Sequence, residues 1–148
     1  SGTGCAQKPI MTSIIVDTSV VTKWYAQKNE DDLKQASRLL ESCQDGSITL
    51  TCPKIILLEL ANVLYLGKKL DQSLCDESLR SFENLCTNLL DVDDTKHIVK
   101  TMYDHRLASY DAAFVSLAIK ENIPLVTADY RHHKKSISPH IVWLSEWK

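Results

Sequence analysis

The sequence predicts a three-layer α/β domain that is built around a mostly parallel sheet. Short β-branched runs alternate along the chain with longer segments of helical periodicity, and such alternation is typical of strands joined by crossover helices. A length of 148 residues with 44% hydrophobic residues suits one globular domain with a sizeable core. In this architecture, side chains at the carboxyl ends of the strands share one crevice.

The first residues lie outside this pattern. They lack hydrophobic periodicity, hold two of the four glycines of the chain and run into Met11, where a natural start would fit. We therefore expect residues 1–11 to be an N-terminal tail or a remnant of the expression vector. Residues 12–148 would then form the domain.

The first part of the domain predicts a strand, two helices and a second strand. The β-branched run at residues 13–17 predicts a strand, and Thr18 or Ser19 can cap the helix that follows it. Residues 30–43 place apolar side chains at helical spacing, with charged residues on the other face. Residues 48–51 form a short candidate strand.

The next predicted helix is apolar on nearly every side. Pro53 suits its first turn, and Gly67 ends it just after Leu66. Glu59 and Asn62 interrupt its apolar stretch. An ionised Glu59 has little solvent-facing surface in such a helix.

The second half of the chain continues the alternation. Helices are predicted where apolar residues recur at helical spacing, and strands where short apolar runs lie between turn residues. The predicted helices are residues 71–88, 95–107 and 111–122, and the predicted strands are residues 89–92, 125–128 and 141–144.

Four acidic residues stand where strands end or where helices are otherwise apolar: Asp17, Glu59, Asp111 and Asp129. Burying an unpaired carboxylate is energetically costly, and these segments supply no local cation. Carboxylates that a fold brings together repel one another unless a hard divalent cation lies among them. The pattern therefore predicts a Mg²⁺ or Mn²⁺ site.

Each carboxylate alone also has a structural explanation. Asp17 and Asp111 suit helix N-caps, and Asp129 suits an Asx turn. Glu59 is harder to explain, because an apolar helix leaves it only a snorkelling or interface-paired role. The combination of all these positions favours a shared site.

Four sequence blocks carry a family resemblance: Ile15-Val-Asp-Thr-Ser-Val20, Pro53-Lys-Ile-Ile-Leu-Leu-Glu-Leu-Ala-Asn62, Ser109-Tyr-Asp-Ala-Ala-Phe114 and Leu125-Val-Thr-Ala-Asp129. In order and spacing they resemble the acidic blocks of PIN-domain ribonucleases, and in particular the VapC-like toxin branch. The resemblance of these blocks implies an α/β/α fold with strand order 3-2-1-4-5 and a metal-dependent endoribonuclease. It also implies a protein that is often a homodimer and is commonly neutralised by an antitoxin.

The resemblance assigns roles to individual residues. The catalytic and metal-binding positions fall on Asp17, Glu59, Asp111 and Asp129. Hydroxyl groups that would orient carboxylates or waters beside them fall on Thr18, Ser19 and Thr127. The implied cofactor is Mg²⁺ or Mn²⁺, and the implied substrate is RNA.

The loop after the last acidic block departs from the family pattern, because Arg131-His-His-Lys-Lys135 is more basic and less apolar than expected. Arg131, Lys134 and Lys135 are candidates for contacts with RNA phosphates, although a solvated loop explains them equally well. His132 and His133 lack the spacing of a chelating pair, so we predict no metal role for them.

The expected chemistry is hydrolysis of a phosphodiester bond. A carboxylate-held cation makes a water nucleophilic near neutral pH and stabilises charge on the phosphoryl oxygens. Because water attacks instead of a ribose hydroxyl, we expect products with 5′-phosphate and 3′-hydroxyl ends. Glu59 would hold a second metal ion or act as a general base, and the sequence does not separate these roles.

The composition argues against several other classes. A net charge of −2 gives no global attraction for nucleic acid, so RNA must bind through local patches. Beyond the tail only Gly46 and Gly67 remain, so no glycine-rich loop is available to hold a nucleotide. Five scattered cysteines, no long apolar run and no secretory signal predict a reduced, cytoplasmic protein without a membrane span.

Two alternatives come from other functional classes. A PIN-like module that binds RNA or protein without cleaving it stays open, although retention of all four carboxylates argues against it. A phosphatase with an aspartyl nucleophile would need a second aspartate two residues after Asp17, where this chain has Ser19.

Overall fold

The computed structural model describes residues 12–133 and 138–148, and these residues form a parallel sheet with helices packed against it. The described strands are β1 (Thr12–Val16), β2 (Ile48–Pro53), β3 (Asn88–Leu90), β4 (Leu125–Thr127) and β5 (Ile141–Trp143). Each strand pairs in parallel with its neighbour, in the order β3-β2-β1-β4-β5. The predicted α/β class and the strand order 3-2-1-4-5 are confirmed.

Helices connect the strands. The α-helices of the described residues are α1 (Thr18–Tyr25), α2 (Leu33–Gln44), α3 (Ile55–Asn62), α4 (Gln72–Leu85), α5 (Thr95–His105) and α6 (Ser109–Glu121). A π-helical segment, Val63–Gly67, continues α3, and a short 3₁₀ turn, Leu144–Glu146, follows β5. Within the described ranges, no helix combines the length and the apolar character needed to cross a bilayer.

Strand β1 lies at the centre of the sheet. Ile14, Ile15 and Val16 are fully buried, and successive side chains of a strand point to opposite faces, so both faces of the sheet are covered. Val16 pairs with Val126 of β4. The carboxyl ends of β1 and β4 therefore lie side by side, which places Asp17 next to Thr127.

Two predicted helix starts differ from the structure. Pro53 is the last residue of β2 instead of the first turn of a helix, a strand end where a missing N–H removes little pairing. Helix α6 begins at Ser109, because Ala108 has the extended conformation of an N-cap residue. Asp111 therefore lies in the first turn of α6 and is not its cap.

The apolar helix that carries Glu59 ends at Gly67 as predicted, but its last turn is not regular α-helix. Regular α-helix stops at Asn62, and the backbone N–H of Lys68 donates to the carbonyl of Val63 at 2.9 Å. This bond spans five residues, which is the π-helical pattern. The wider turn ends at Gly67 and positions Lys68 immediately after it.

Candidate active site

Asp17 is fixed at the carboxyl end of β1 by several hydrogen bonds. It caps α1, and its Oδ1 accepts from the backbone N–H of Ser19 at 3.1 Å and from the Ser19 hydroxyl. Its Oδ2 accepts from the Thr127 hydroxyl at 2.5 Å. Only 6% of Asp17 is exposed. The capping role and a role in the site therefore fall on one side chain.

The hydroxyl groups of Ser19 and Thr127 join the ends of β1 and β4. Ser19 Oγ accepts from the backbone N–H of Ala128 at 2.9 Å. Thr127 Oγ1 accepts from the backbone N–H of Asp129 at 3.0 Å. Because each hydroxyl also donates to Asp17, this network sets the position of Asp129 relative to Asp17.

Glu59 reaches the same region from α3. The Thr18 hydroxyl donates a long hydrogen bond of 3.4 Å to Glu59 Oε1. Burial, followed by repulsion from Asp111 and Asp17, raises the pKa of Glu59 to about 7. This carboxyl group is consequently poised to exchange a proton near neutral pH.

Burial also raises the pKa of Asp17, and the charge of Asp129 adds to this effect. Hydrogen bonds from Ser19 and Thr127 oppose it without cancelling it. Raised pKa values at clustered carboxylates are typical of sites that lack a compensating cation.

The four carboxylates line one cavity of about 340 Å³. The acidic residues of its lining are Asp17, Glu59, Asp111, Asp129 and Glu30, and the basic residues are Lys23 and Lys68. The structure therefore brings together residues that lie more than a hundred positions apart in the sequence. Their assignment as metal ligands stays a prediction.

Two lysines form a cationic wall of this cavity. Lys23 Nζ lies 3.2 Å from Glu30 Oε1, and Lys68 Nζ lies 2.8 Å from Glu30 Oε2. The lysine side chains are only 7% and 15% exposed. Lys23 was not predicted as a site residue, because the order of apolar and polar residues in α1 does not indicate that its ammonium group points toward Glu30.

His133 also enters the acidic region, which the sequence pattern did not predict. Its side chain is fully buried, and its Nε2 lies 3.7 Å from Asp17 Oδ2 and 3.6 Å from Asp111 Oδ1. Its backbone N–H donates to the carbonyl of Asp129 at 3.1 Å, which folds the loop back as a single turn.

The electrostatics of His133 follow from this position. Burial alone would lower the pKa of His133, but the carboxylate of Asp111, together with that of Asp17, outweighs this and raises it. His132 makes a different contact, since its Nδ1 lies 2.8 Å from Asp129 Oδ2 and its side chain is largely exposed.

Comparison with known families identifies this arrangement. Residues 14–137 match the family model described as PIN domain. This chain belongs to the PIN-domain family. The matched range includes the four predicted site carboxylates, most of β1 and all of β2 to β4, so the family predicted from the sequence blocks is confirmed.

Solved structures share the PIN-domain fold over most of their length. PAE2754 from Pyrobaculum aerophilum is 14% identical, with a TM-score of 0.68 and coverage of 93% of each chain. A toxin–antitoxin complex from Klebsiella pneumoniae gives 15% identity and a TM-score of 0.65, covering 87% of this chain and 95% of that chain. VapBC2 from Rickettsia felis, bound to a DNA fragment from its promoter, is 17% identical with a TM-score of 0.64. The match covers 89% of this chain and 97% of that chain. These identities establish a shared fold only.

Among curated proteins, no match to this sequence was found.

The side chains of this PIN domain fit a divalent cation. Carboxylate oxygens are the ligands that Mg²⁺ and Mn²⁺ prefer. Burial raises the pKa of both Asp17 and Glu59, and for Glu59 the repulsion from Asp111 and Asp17 adds to it, which a bound cation would relieve. Within the described residues, no three His, Cys, Asp or Glu side chains already stand as a ready-made metal group. Binding would therefore draw carboxylates inward from the cavity wall.

The basic loop of the PIN domain is described only in part. Arg131 is exposed two residues after Asp129. Lys134 and Lys135 lie outside the described residues. The predicted contacts of this loop with RNA phosphates stay a prediction.

Proposed function

We propose that this protein is a Mg²⁺- or Mn²⁺-dependent endoribonuclease. PIN domains are generally nucleases that use divalent metal ions. The observation that carries the proposal is the convergence of four carboxylates on one cavity, where burial and mutual repulsion raise the pKa of Glu59 to about 7. The proposed metal ligands and catalytic residues are Asp17, Glu59, Asp111 and Asp129.

Each carboxylate has a role that follows from its surroundings. Asp17 is held by Ser19 and Thr127 in one orientation, which suits a fixed ligand. Asp111 and Asp129 are partly exposed on the cavity wall, so they can turn toward an ion without breaking the core. When bound, the cation would supply charge stabilisation for the phosphoryl oxygens.

Glu59 is the group that we assign to proton transfer. Its pKa of about 7 is close to the value that suits a general base at neutral pH, and among the described residues only one long hydrogen bond, from Thr18, restrains it. Glu59 would accept the proton of the attacking water. The products would carry 5′-phosphate and 3′-hydroxyl ends.

The cationic wall suggests where the RNA backbone lies. Lys68 Nζ uses two of its three N–H donors, on Glu30 Oε2 and on the carbonyl of Lys28. Its third donor can reach a phosphate in the cavity. We infer that Lys23 and Lys68 hold the backbone of the bound RNA opposite the carboxylates. Arg131, Lys134 and Lys135 would contact further phosphates.

We further propose that the protein is the toxin of a type II toxin–antitoxin pair. Two of the solved structures with this fold are toxin–antitoxin complexes. An apolar face is also exposed along α3 and the π-helical segment, where Leu58, Tyr65 and Leu66 are 70%, 68% and 62% exposed. Such a face suits burial in a cytoplasmic homodimer, with an antitoxin as a further partner.

Cleavage of a labelled, structured RNA tests the proposed function. We expect cleavage with Mn²⁺, no cleavage with EDTA, and a loss of at least about 100-fold in rate for Asp17→Asn. Asp104→Asn is the matched control, because Asp104 is an exposed partner of Lys100 on α5. Metal-dependent cleavage that survives Asp17→Asn would contradict the site. A wild-type protein that binds RNA without cleaving it under any metal would support the binding-module alternative.

A further inference from the structure

His133 is a buried side chain that faces two carboxylates without a direct hydrogen bond to either. Both of its ring nitrogens are inaccessible to solvent, and neither has a hydrogen-bond partner among the described residues. Buried polar atoms in folded proteins nearly always have one, so an unpartnered histidine ring that faces carboxylates points to a missing group. The ring is enclosed by neighbouring residues, because its side chain has no exposed surface.

The distances around Nε2 indicate what that group is. Nε2 lies 3.7 Å from Asp17 Oδ2 and 3.6 Å from Asp111 Oδ1. Both separations exceed the usual nitrogen-to-oxygen distance of a hydrogen bond, which is at most about 3.2 Å. Two ligands that each lie about 2.1 Å from one ion are at most about 4.2 Å apart, so these pairs of atoms come within reach of a shared ion once the carboxylates have moved inward.

The backbone of His133 is anchored independently of the carboxylates. Trp143 Nε1 of β5 donates to the His133 carbonyl at 3.2 Å. The Trp143 ring packs against Tyr130, with ring centroids 5.2 Å apart, and the Tyr130 hydroxyl donates to Asp32 Oδ2 at 2.8 Å. Support of this kind holds a ligand-bearing side chain in position.

We propose that His133 Nε2 is a further ligand of the metal ion that the proposed function requires. The inference rests on that proposed centre and specifies its chemistry: a mixed site of one imidazole nitrogen and carboxylate oxygens. A nitrogen ligand favours transition-metal ions, whereas Mg²⁺ prefers oxygen. This protein should therefore bind Mn²⁺ in preference to Mg²⁺.

A competing explanation predicts the opposite behaviour. If the His133 ring occupied the place of the cation, as a positive group between Asp17 and Asp111, removing it would strengthen metal binding. The ligand proposal requires that removing it weakens metal binding. The sign of the change therefore decides between the two.

Pulsed electron paramagnetic resonance of Mn²⁺ bound to the full chain, without RNA, tests the proposal directly. We expect a hyperfine coupling from a directly bound imidazole nitrogen in the wild type and in His132→Gln, and its loss in His133→Gln. His132→Gln is the matched control, because His132 contacts Asp129 from the exposed side. A Mn²⁺ signal without nitrogen coupling, or a coupling that is lost in His132→Gln instead, would overturn the proposal and leave a carboxylate-only metal centre intact.

Calorimetric titration of the same proteins gives the second readout. His133→Gln should weaken Mn²⁺ binding roughly 10- to 100-fold and Mg²⁺ binding by a smaller factor. Stronger Mn²⁺ binding by this variant would overturn the proposal. Failure of the wild type to bind any Mn²⁺ would overturn the proposed metal centre itself, which separates the two failures. If circular dichroism shows that His133→Gln is unfolded, the nitrogen coupling in the wild type and in His132→Gln decides the matter.

Discussion

At the scale of single residues, Asp17 shows how one side chain satisfies a helix terminus and faces a cavity. Its Oδ1 caps α1 while its Oδ2 accepts from Thr127. Hydrogen bonds to a carboxylate normally lower its pKa, yet burial keeps the pKa of Asp17 raised. The fold therefore maintains an unfavourable carboxylate, which is characteristic of functional sites.

Replacing Thr127 by valine should loosen this arrangement. The change removes the hydrogen bond to Asp17 Oδ2 and the acceptor of the Asp129 N–H with little change in side-chain volume, and the bond to the charged group alone contributes about 1.5–3 kcal/mol. We expect the free energy of unfolding to fall by that amount in urea titrations, and Mn²⁺ affinity to fall with it. Thr101→Val, which removes a buried bond to the His97 carbonyl, should leave Mn²⁺ affinity unchanged. Equal Mn²⁺ affinities for wild type and Thr127→Val would contradict the positioning role.

Glu59 should make the stability of the metal-free protein dependent on pH. Its pKa rises from 4.5 in the unfolded chain to about 7 in the folded protein, so the folded state holds the proton more tightly. Its contribution to stability is fully present below about pH 4.5 and is lost as the pH rises through about 7. Glu59→Gln should remove this loss, so the variant should gain stability over the wild type at about pH 8 more than at about pH 5. Urea unfolding in EDTA measures this, and an equal difference at both pH values would contradict the raised pKa.

At the scale of elements, the π-helical segment Val63–Gly67 distinguishes the apolar helix from a regular one. Wider turns of this kind occur frequently at functional sites. Here the wide turn ends beside the cavity. Lys68 follows it and pairs with Glu30, which lies in the connection between α1 and α2. A regular α-helix would present a different residue at that point, because each π turn takes up one additional residue.

Lys68→Gln should weaken RNA binding without unfolding the protein. The variant loses a positive charge at the cavity wall, so the slope of log K against log salt for single-stranded RNA should decrease by roughly 0.7. Fluorescence anisotropy in EDTA measures binding without cleavage. Lys100→Gln removes an exposed lysine of α5 and serves as the control. The same salt slope for wild type and Lys68→Gln would contradict the proposed backbone contact.

At the scale of the whole molecule, an exposed apolar face lies apart from the opening of the sheet and is the basis of the proposed homodimer. The carboxyl ends of β1 and β4 open into the cavity, while Leu58, Tyr65 and Leu66 expose apolar surface along α3 and the π-helical segment. Large apolar side chains exposed on one segment are candidates for an interface.

Leu66→Asp should convert the proposed homodimer into a monomer, because an aspartate in a buried apolar interface loses its hydration. Analytical ultracentrifugation measures the change. Leu33→Asp on α2, where 37% of the leucine is exposed, is the control for an apolar-to-acidic change elsewhere on the surface. A wild-type protein that is already monomeric, or a variant that stays dimeric, would contradict this interface.

The sequence allowed the fold to be predicted because its periodicities are local and strong. The β-branched run before Asp17 and the apolar α6 both identify buried elements without reference to the rest of the chain. The cationic wall and the position of His133 were not predictable, because both depend on long-range contacts. Lys23 reaches Glu30 across a loop, and the loop carrying His133 is oriented by Trp143 of β5.

A crystal structure of the protein with Mn²⁺, using the anomalous signal of the metal, tests the central claim most directly. We expect a peak inside the cavity, with oxygens of Asp17 and Asp111 at about 2.2 Å from it. Data from crystals of Asp17→Asn grown with the same Mn²⁺ concentration should show a much weaker peak. An anomalous peak elsewhere on the surface, or an empty cavity at saturating Mn²⁺, would contradict the account.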